Sequence, residues 1–356
     1  MKKEWKRWTG FWVFLVLILL LSACQAEQAG SSEGGETEAA AGEQITLKFS
    51  HFWPPHHFVQ TEVFEPFVDE MGQLSDGRVT IDIYPASALG EPGAQYDMAV
   101  TGVADITVGV HSYTPGQFPL VSVMELPFIS DSGEKGSEIL WKLYEEFPEL
   151  KEEHAQTKPL WLFTSSPGQL LTVGKPVESI DDLRGMRIRS PSPIMNKVIE
   201  LAGATPVSMP MSDVYDAMQR GVVDGTFAPM PELLAFNLMD VTDYVTIGNF
   251  YMTTFFAVMN GQVWEGLTAE EQQKLEELGL SMARKGGKAF DQAAAEAREA
   301  LADSDVEVYE LSEEDVAEWK SQLESIIQDW IEEMNSKGLP GQEIYDRAVQ
   351  LNSELN

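Results

Sequence analysis

Arg189 is the side chain whose type and position in this sequence are best suited to binding a ligand. It ends the segment Met186-Arg187-Ile188-Arg189, in which apolar and charged residues alternate as they do in a short strand. Pro191 stops that strand, so Arg189 lies at its C-terminal end, where open α/β sheets bind their ligands. A guanidinium there offers a planar fork of donors that fits a carboxylate. From the strand alone, a salt-bridged surface arginine is the alternative.

The elements that must position Arg189 alternate between strands and helices along most of the chain. Apolar residues recur at every second position in some segments and with helical spacing in the segments between them. This order predicts an α/β protein with mainly parallel sheets, in a chain long enough for two domains. The predicted strands cover 45–49, 79–83, 106–110, 160–163, 170–173, 186–189, 205–208, 225–228 and 251–259, and the predicted helices cover 59–74, 94–103, 136–147, 194–202 and 212–219.

The C-terminal part of the sequence is predicted to be mainly helical. Thr268 with Glu271 three positions later is a capping box, which predicts the start of a helix of roughly 35 residues. A short strand at 306–309 precedes a final helix that begins at Ser312. The apolar residues of that helix have the spacing of a core-facing stripe; they are Val316, Trp319, Leu323, Ile326, Ile327, Trp330 and Met334.

The N-terminal residues indicate export. A basic start is followed by an apolar run and by Leu21-Ser22-Ala23-Cys24, so residues 1–23 are predicted to be a lipoprotein signal peptide whose removal leaves a lipid on Cys24. The run is short for a membrane span, although an uncleaved signal anchor is the alternative. Cys24 is the only cysteine, which favours lipidation over catalysis and excludes an intramolecular disulfide. Residues 24–43 are predicted to be a flexible acidic tether.

The charge of the chain restricts its partners. It carries 24 Lys and Arg residues against 57 Asp and Glu residues, a net charge of −33. A nucleic-acid partner is not expected, because phosphates require the opposite sign. Any site that binds an anion must therefore be a local exception to the overall field.

Several short motifs follow one another in an order that resembles the DctP-type solute receptors of TRAP (tripartite ATP-independent periplasmic) transporters. The resemblance extends from Ile45 to the C-terminal helices. Its motifs are LKFSHFW at 47–53, GRV at 77–79, YP at 84–85, LG at 89–90, GVADI at 102–106, FPL at 118–120, ELPF at 125–128, DLRGMRIR at 182–189, MPMSDVY at 209–215 and GVVDG at 221–225.

The resemblance implies a two-lobed fold of the periplasmic-binding-protein type. It would contain two mixed or mainly parallel sheets, hinge crossovers near 165–167 and 251–256, and C-terminal helices. Lobe I would comprise 44–165 with about 255–294, and lobe II 166–254 with about 295–356. The lobes of such receptors close on their ligand by a hinge motion.

The resemblance also identifies Arg189 as the residue that grips a substrate carboxylate, with Arg187 expected to face away from the cleft. A small organic acid would be captured outside the cytoplasm, at the periplasmic side of the membrane, and delivered to the TRAP permease subunits. The other candidates for the cleft, each with packing in the core as its alternative, are His51, Phe52, Trp53, His57, Tyr113, Gln169, Phe227, Phe250 and Tyr251.

Two departures from the family pattern favour a small or apolar carboxylate. Gln169 lies about where sialic-acid receptors of the family carry a second arginine, and Ala228 precedes Pro229 where many members have a polar residue. Members that hold their ligand through a metal use Gln, Glu or Asp after the Val-Asp-Gly motif, whereas this chain has Thr226-Phe227-Ala228-Pro229. Neither a metal nor another cofactor is expected.

Two other functions are weighed against a TRAP receptor. A receptor that feeds an ABC importer would have a similar fold, and only the neighbouring transporter genes would distinguish it. An exported enzyme is disfavoured because the sequence contains no nucleophile elbow, zinc-protease motif, phosphate-binding glycine loop or dinucleotide fingerprint. The sequence therefore predicts a binding protein that is not an enzyme.

Overall fold

The computed structural model of this protein describes residues 44–355. The predicted signal peptide, Cys24 and the whole predicted tether, 24–43, lie outside the described residues. The strands of the described part are β1 (Ile45–Ser50), β2 (Val79–Tyr84), β3 (Ile106–Val110), β4 (Thr157–Thr164), β5 (Gly168–Thr172), β6 (Arg187–Ser190), β7 (Thr205–Ser208), β8 (Gly225–Pro229), β9 (Tyr244–Tyr251), β10 (Thr254–Asn260) and β11 (Glu307–Glu310).

The helices cover the sheets and connect their strands. They are α1 (Glu65–Leu74), α2 (Gln95–Thr101), α3 (Gly133–Glu146), α4 (Pro148–Glu153), α5 (Pro193–Leu201), α6 (Val214–Gln219), α7 (Glu232–Ala235), α8 (Gly261–Glu265), α9 (Ala269–Ala302), α10 (Glu313–Ser336) and α11 (Gly341–Glu354). A π-helical turn at Gln60–Phe64 leads into α1, and short 3₁₀ turns include His111–Tyr113 and Val121–Glu125. In the part of the chain that the structure describes, no helix has both the length and the apolar character needed to cross a bilayer.

The strands form two mixed sheets, as the sequence predicts. The first sheet has the order β2-β1-β3-β10-β4, with β1 parallel to β2 and β3, and β10 antiparallel to β3 and β4. The second sheet has the order β11-β9-β5-β8-β6-β7. In it, β6 is parallel to both neighbours, so Arg189 pairs with Val207 on one side and Thr226 on the other.

The chain passes between the sheets at two adjacent segments. One segment, 165–167, joins β4 to β5, and the other, 252–253, joins β9 to β10. The Ser165 amide donates to the Thr253 carbonyl (2.9 Å), and the Thr253 amide donates to Ser165 Oγ (3.0 Å). These bonds hold the two crossovers side by side.

The single predicted strand at 251–259 is instead divided between the sheets. β9 ends at Tyr251 and β10 begins at Thr254, because the chain leaves the second sheet for the first between them. β9 itself, from Tyr244 to Tyr251, is a strand that the sequence pattern missed. Its alternation is interrupted at Asn249, where φ is +53° and the pairing with β5 shifts register.

The two predicted C-terminal helices are present as α9 and α10, but α10 is not the final helix as predicted, because α11 follows it. Thr268 and Glu271 form the expected capping box at the start of α9, and Glu271 Oε2 accepts from the Thr268 amide at 2.8 Å. Helix α9 approaches α3 closely at Gly287, where a Cβ atom would lie 2.0 Å from the carbonyl oxygen of Gly133. A side chain at Gly287 would therefore push the two helices apart.

Helix α10 buries most of its predicted stripe and contacts elements of both sheets. The Trp319 ring lies 4.6 Å from the ring of Phe250 on β9, measured between centroids. Trp330 Nε1 donates to Ser122 Oγ (2.8 Å) in the 3₁₀ turn Val121–Glu125, which lies between β3 and β4 in the chain. Val316 and Ile327 are only partly buried, at the margins of the stripe.

Candidate functional site

Arg189 is buried at the carboxyl edge of the second sheet, with 1% of its surface exposed. Three of its N–H groups are used by protein acceptors. Nε donates to the Met209 carbonyl (2.9 Å), Nη1 to the Phe227 carbonyl (3.1 Å) and Nη2 to Tyr113 Oη (3.0 Å). A guanidinium carries five N–H groups, so two of them remain for a ligand.

Tyr113 reaches Arg189 from the other sheet. It ends the 3₁₀ turn His111–Tyr113 that follows β3. Its phenol oxygen also accepts from the Met211 amide (2.9 Å), so one hydroxyl links the first sheet to two points of the second. Burial raises the pKa of the Tyr113 phenol, and the charge of Arg189 opposes that rise. The neutral phenol thus holds the guanidinium without neutralising it.

A small, narrow cavity lies beside this pair. Its walls are largely aromatic: Phe52 stacks on Trp53 with ring centroids 4.1 Å apart, and Trp53 lies 5.2 Å from Phe255. Residues 52 and 53 follow β1, and Phe255 lies on β10, so the first sheet supplies this wall. The other lining residues are Val110, Tyr113, Arg189, Pro191, Met211, Pro229, Glu232 and Thr253.

Gln169, by contrast, does not line this cavity. Its Oε1 accepts from the amides of Gly248 (2.9 Å) and Asn249 (3.0 Å). Its Nε2 donates to Asn249 Oδ1 (2.7 Å) and to the Pro167 carbonyl (3.0 Å). The amide thereby stabilises the irregular pairing of β5 with β9.

His51, Phe227 and Phe250 also lie outside the cavity lining. His51 is completely buried beside Gln60 (Nε2 to Oε1, 3.2 Å), and burial lowers its pKa to about 3, so the ring is neutral. Phe227 contributes its carbonyl to Arg189, while its ring packs edge-on against Phe250. Phe250 packs between Phe227 and the Trp319 ring of α10. The structure thus brings Arg189, Tyr113, Trp53 and Phe52 together at the cavity. The rings of His51, Phe227 and Phe250 pack outside its lining.

Arg187 and Arg189 lie at different ends of β6. This corrects the expectation that they face opposite ways. Residues two positions apart in a strand point to the same face, so the two arginines do not face opposite ways. Arg187 begins the strand at the exposed edge, where Asp224 accepts from both its guanidinium and its backbone amide (2.8 Å). Arg189 lies near the other end of the strand, under Tyr113.

Glu232 is the cavity residue that sequence reasoning missed most clearly. It begins α7, just beyond the end of β8, and only 3% of its surface is exposed. Its Oε2 lies 3.5 Å from His57 Nε2, and His57 follows β1. The position of Glu232 beyond a strand end is the same signal that singled out Arg189, and it could have indicated this residue.

Glu125 is a buried carboxyl group close to the strands of the site. Its Oε1 accepts from Thr254 Oγ1 (3.1 Å) at the start of β10. Burial raises its pKa to about 7, against smaller opposing contributions from the hydroxyls of Thr254, Ser192 and Ser112. Glu125 therefore holds a proton at mildly acidic pH.

No metal centre is indicated by the residues that the structure describes. Within 44–355 there is no group of three or more His, Cys, Asp or Glu side chains that could hold a metal ion. His57 uses one ring nitrogen within its own loop, since the Val59 amide donates to Nδ1 (3.2 Å). A metal needs several converging ligands, and the loop after β1 does not supply them.

Comparison with known proteins identifies relatives along nearly the whole described chain. A family model for DctP, bacterial extracellular solute-binding protein family 7, matches residues 49–333. The chain is 25% identical over 314 residues to the outer membrane transporter protein TsaT of Comamonas testosteroni, a match that covers 86% of this chain and 92% of that protein.

Two similar solved structures are TRAP solute-binding proteins. One, from Rhodoferax ferrireducens with copurified benzoate, is 28% identical, covers 87% of this chain and 98% of its own, and has a TM-score of 0.83. The other, from a marine metagenome with 3-hydroxybenzoate, is 32% identical, covers 88% and 99%, and has a TM-score of 0.83. Both of these structures are of solute-binding proteins. The chain therefore belongs to the DctP family, family 7 of the bacterial extracellular solute-binding proteins, and is of the TRAP type.

Proposed function

We propose that this receptor binds an aromatic monocarboxylate in the cavity between its two sheets. The observation that carries the proposal is Arg189, a buried cation that forms no ion pair with the residues described in the structure. Its three partners are two carbonyls and a phenol. They leave two N–H groups of the guanidinium without a protein acceptor, and a carboxylate ligand would accept from these.

The walls of the cavity favour an aromatic body for that ligand. Phe52, Trp53 and Phe255 offer ring faces and edges, and Glu232 is the single carboxylate among the residues that line the cavity. Gln169 is already saturated by backbone groups and Asn249, so it does not add a polar anchor. The benzoate and 3-hydroxybenzoate bound by the two solved relatives support the same class of ligand.

The lobes would follow the two sheets. The first would comprise 44–165 with about 255–294, the second 166–254 with about 295–356, and the crossovers at 165–167 and 252–253 would serve as hinges. Ligand binding would stabilise the closed arrangement, in which Tyr113 bridges both sheets. The lipid on Cys24 would hold the receptor outside the cytoplasm and beside the TRAP permease that takes up the ligand.

Calorimetric titration of the mature protein tests the ligand class. Benzoate, 3-hydroxybenzoate, succinate, glucuronate and sialic acid are compared, with benzamide as the uncharged match for benzoate. An aromatic acid should bind at least about tenfold more tightly than any of the other acids, and benzamide should bind far more weakly than benzoate. Submicromolar binding of a dicarboxylate or sugar acid, without binding of either aromatic acid, would overturn the proposal.

A further inference from the structure

Glu232 places a second charged group in the cavity, and the fold does not account for it. Only 3% of its surface is exposed, although Asp and Glu are rarely buried without a partner. Among residues 44–355, Glu232 Oε2 is buried without a hydrogen-bond partner, and it lies 3.5 Å from His57 Nε2. A buried acceptor left in this state costs free energy that a ligand donor would recover.

His57 faces the Glu232 carboxylate, but the distance between them is too long for a good hydrogen bond. The Val59 amide donates to His57 Nδ1, so Nε2 is the ring nitrogen left to face Glu232. That nitrogen lies 3.5 Å from Glu232 Oε2, beyond the usual N–H···O distance. Neither atom makes a hydrogen bond within the described residues. His57 thus limits the position of the carboxylate while leaving it able to accept from the cavity.

We infer that Glu232 accepts a hydrogen bond from a hydroxyl group on the aromatic ring of the ligand, so that the receptor selects hydroxylated aromatic acids. This inference rests on the proposed function, because it needs Arg189 to hold the carboxylate of the same ligand. Arg189 and Glu232 both line the cavity, with the aromatic rings as its wall. The site then offers donors to one group of the ligand and an acceptor to another.

The same arrangement predicts which ligands should bind weakly. A methyl group in place of the hydroxyl would fill the space but leave the Glu232 carboxylate unsatisfied, and sites built to bind a hydroxyl discriminate strongly against such analogues. A second carboxylate in place of the hydroxyl would face the Glu232 charge directly and be repelled. At the ring position that faces Glu232, a hydroxyl should therefore give the tightest binding, a methyl group weaker binding and a carboxylate the weakest.

Titration calorimetry with matched ligands tests this order. The ligands are benzoate, 3- and 4-hydroxybenzoate, the two corresponding methylbenzoates, and benzene-1,3-dicarboxylate. In the wild-type protein, one hydroxybenzoate should bind at least about tenfold more tightly than its methyl counterpart. Glu232→Leu should reduce that ratio to about one or below, because the acceptor is gone.

Two further variants complete the test. Glu232→Gln keeps the size of the side chain and removes the charge, so the dicarboxylate should bind at least about tenfold more tightly to it than to the wild-type protein. Glu271→Gln is the matched control. Glu271 pairs with Arg78, which lies at the amino end of β2, whereas the cavity residues Phe52 and Trp53 follow the carboxyl end of β1. Glu271→Gln should leave every ligand ratio unchanged. Each variant is checked for cooperative thermal unfolding, and Glu232→Gln carries the test if Glu232→Leu does not fold.

The outcomes separate this inference from the proposed function. If aromatic acids bind but the hydroxyl-to-methyl ratio in the wild-type protein is near one, or survives in Glu232→Leu, the role of Glu232 is refuted while the aromatic-acid receptor stands. If the dicarboxylate gains nothing in Glu232→Gln, the repulsion is refuted in the same way. If no aromatic acid binds the wild-type protein, the proposed function fails and the inference fails with it.

Discussion

The phenol oxygen of Tyr113 accepts a hydrogen bond from Arg189 at 3.0 Å, although Tyr113 follows a strand of the first sheet and Arg189 lies in a strand of the second. The same oxygen accepts from the Met211 amide at 2.9 Å. One hydroxyl therefore orients the guanidinium and joins the two sides of the cavity. We therefore expect ligand binding and contact between the sheets to be coupled through it.

Removing this hydroxyl should weaken ligand binding. In Tyr113→Phe, the buried Met211 amide loses its acceptor and Arg189 loses one of its three restraints. An unsatisfied buried donor costs ~1–3 kcal/mol, so the Kd of the best aromatic acid should rise by about 5- to 150-fold. Tyr96→Phe is the control, because Tyr96 is buried away from the cavity lining. Equal affinities in wild type and Tyr113→Phe would show that the bridge does not stabilise the bound state.

Ligand binding should make the protein more compact. Contacts that join the two sides of the cavity include the Tyr113–Met211 bond and the bond from Ser112 Oγ to the Pro191 carbonyl (3.1 Å). Small-angle X-ray scattering should give a smaller radius of gyration at saturating ligand than without ligand. Arg189→Ala at the same ligand concentration should keep the ligand-free profile. Identical profiles for the free and saturated wild-type protein would count against hinged closure.

The buried carboxyl of Glu125 should make stability depend on pH. Its pKa rises from 4.5 to about 7 on folding, chiefly through burial. The folded state keeps a proton that the unfolded state releases, so the contribution of Glu125 is complete below about pH 4.5 and is lost as the pH rises through 7. Glu125→Gln mimics the protonated form at every pH. Its free energy of unfolding should be close to that of wild type at pH 5 and higher by ~1–3 kcal/mol at pH 8.

Urea unfolding at several pH values measures this difference. Glu146→Gln is a control of opposite sign, because the guanidinium of Arg347 lowers the pKa of Glu146 and stabilises its charged form. That variant should be slightly less stable than wild type at pH 8. If Glu125→Gln were no more stable relative to wild type at pH 8 than at pH 5, Glu125 would not be held protonated by its surroundings.

Cys24 should anchor the mature protein to the membrane. In Cys24→Ser the lipid acceptor is missing, so the protein should either appear in the soluble fraction or retain its signal peptide. Fractionation of cells followed by mass spectrometry of the N-terminus measures both effects. Ser31→Ala, within the predicted tether, should stay at the membrane like wild type. Normal processing and full membrane retention of Cys24→Ser would contradict lipidation.

The sequence predicted a helix or strand correctly where the signal lies within the segment itself. The capping box at Thr268 and the strand that carries Arg189 follow from side chains a few residues apart, and both are present. β9 was missed because it is irregular near its C-terminal end: Asn249 adopts φ +53° and forms hydrogen bonds with Gln169 from β5. Such a bulge depends on a partner strand that is distant in sequence.

The site was predictable only where a strand end marks it. Arg189 follows from that rule, and Glu232, just beyond β8, would have followed from it too. Gln169 and Phe250 were expected in the cleft, but hydrogen bonds and ring packing with residues far along the chain occupy them instead. A linear pattern identifies a residue at the edge of a sheet, but it does not show what that residue contacts.

The affinity of the carboxylate for Arg189 is the centre of the proposed function. In the closed cavity the ligand charge is removed from water, so Arg189→Ala should leave it buried without a partner. Such truncations cost ~2–5 kcal/mol, which raises Kd by about 30- to several-thousand-fold. Arg189→Lys keeps the charge but not the fork, and should recover only part of the affinity. Arg187→Ala should change Kd little, because Arg187 is exposed and paired with Asp224.

The most direct test is calorimetric titration of wild type, Arg189→Ala, Arg189→Lys and Arg187→Ala with the tightest aromatic acid from the ligand comparison, after each variant has been shown to unfold cooperatively. The predicted order of affinity is wild type, then Arg187→Ala close behind, then Arg189→Lys, then Arg189→Ala with at least a thirtyfold loss, about 2 kcal/mol. Binding to Arg189→Ala within about threefold of wild type, a difference below ~1 kcal/mol, would show that the ligand is not held by this guanidinium.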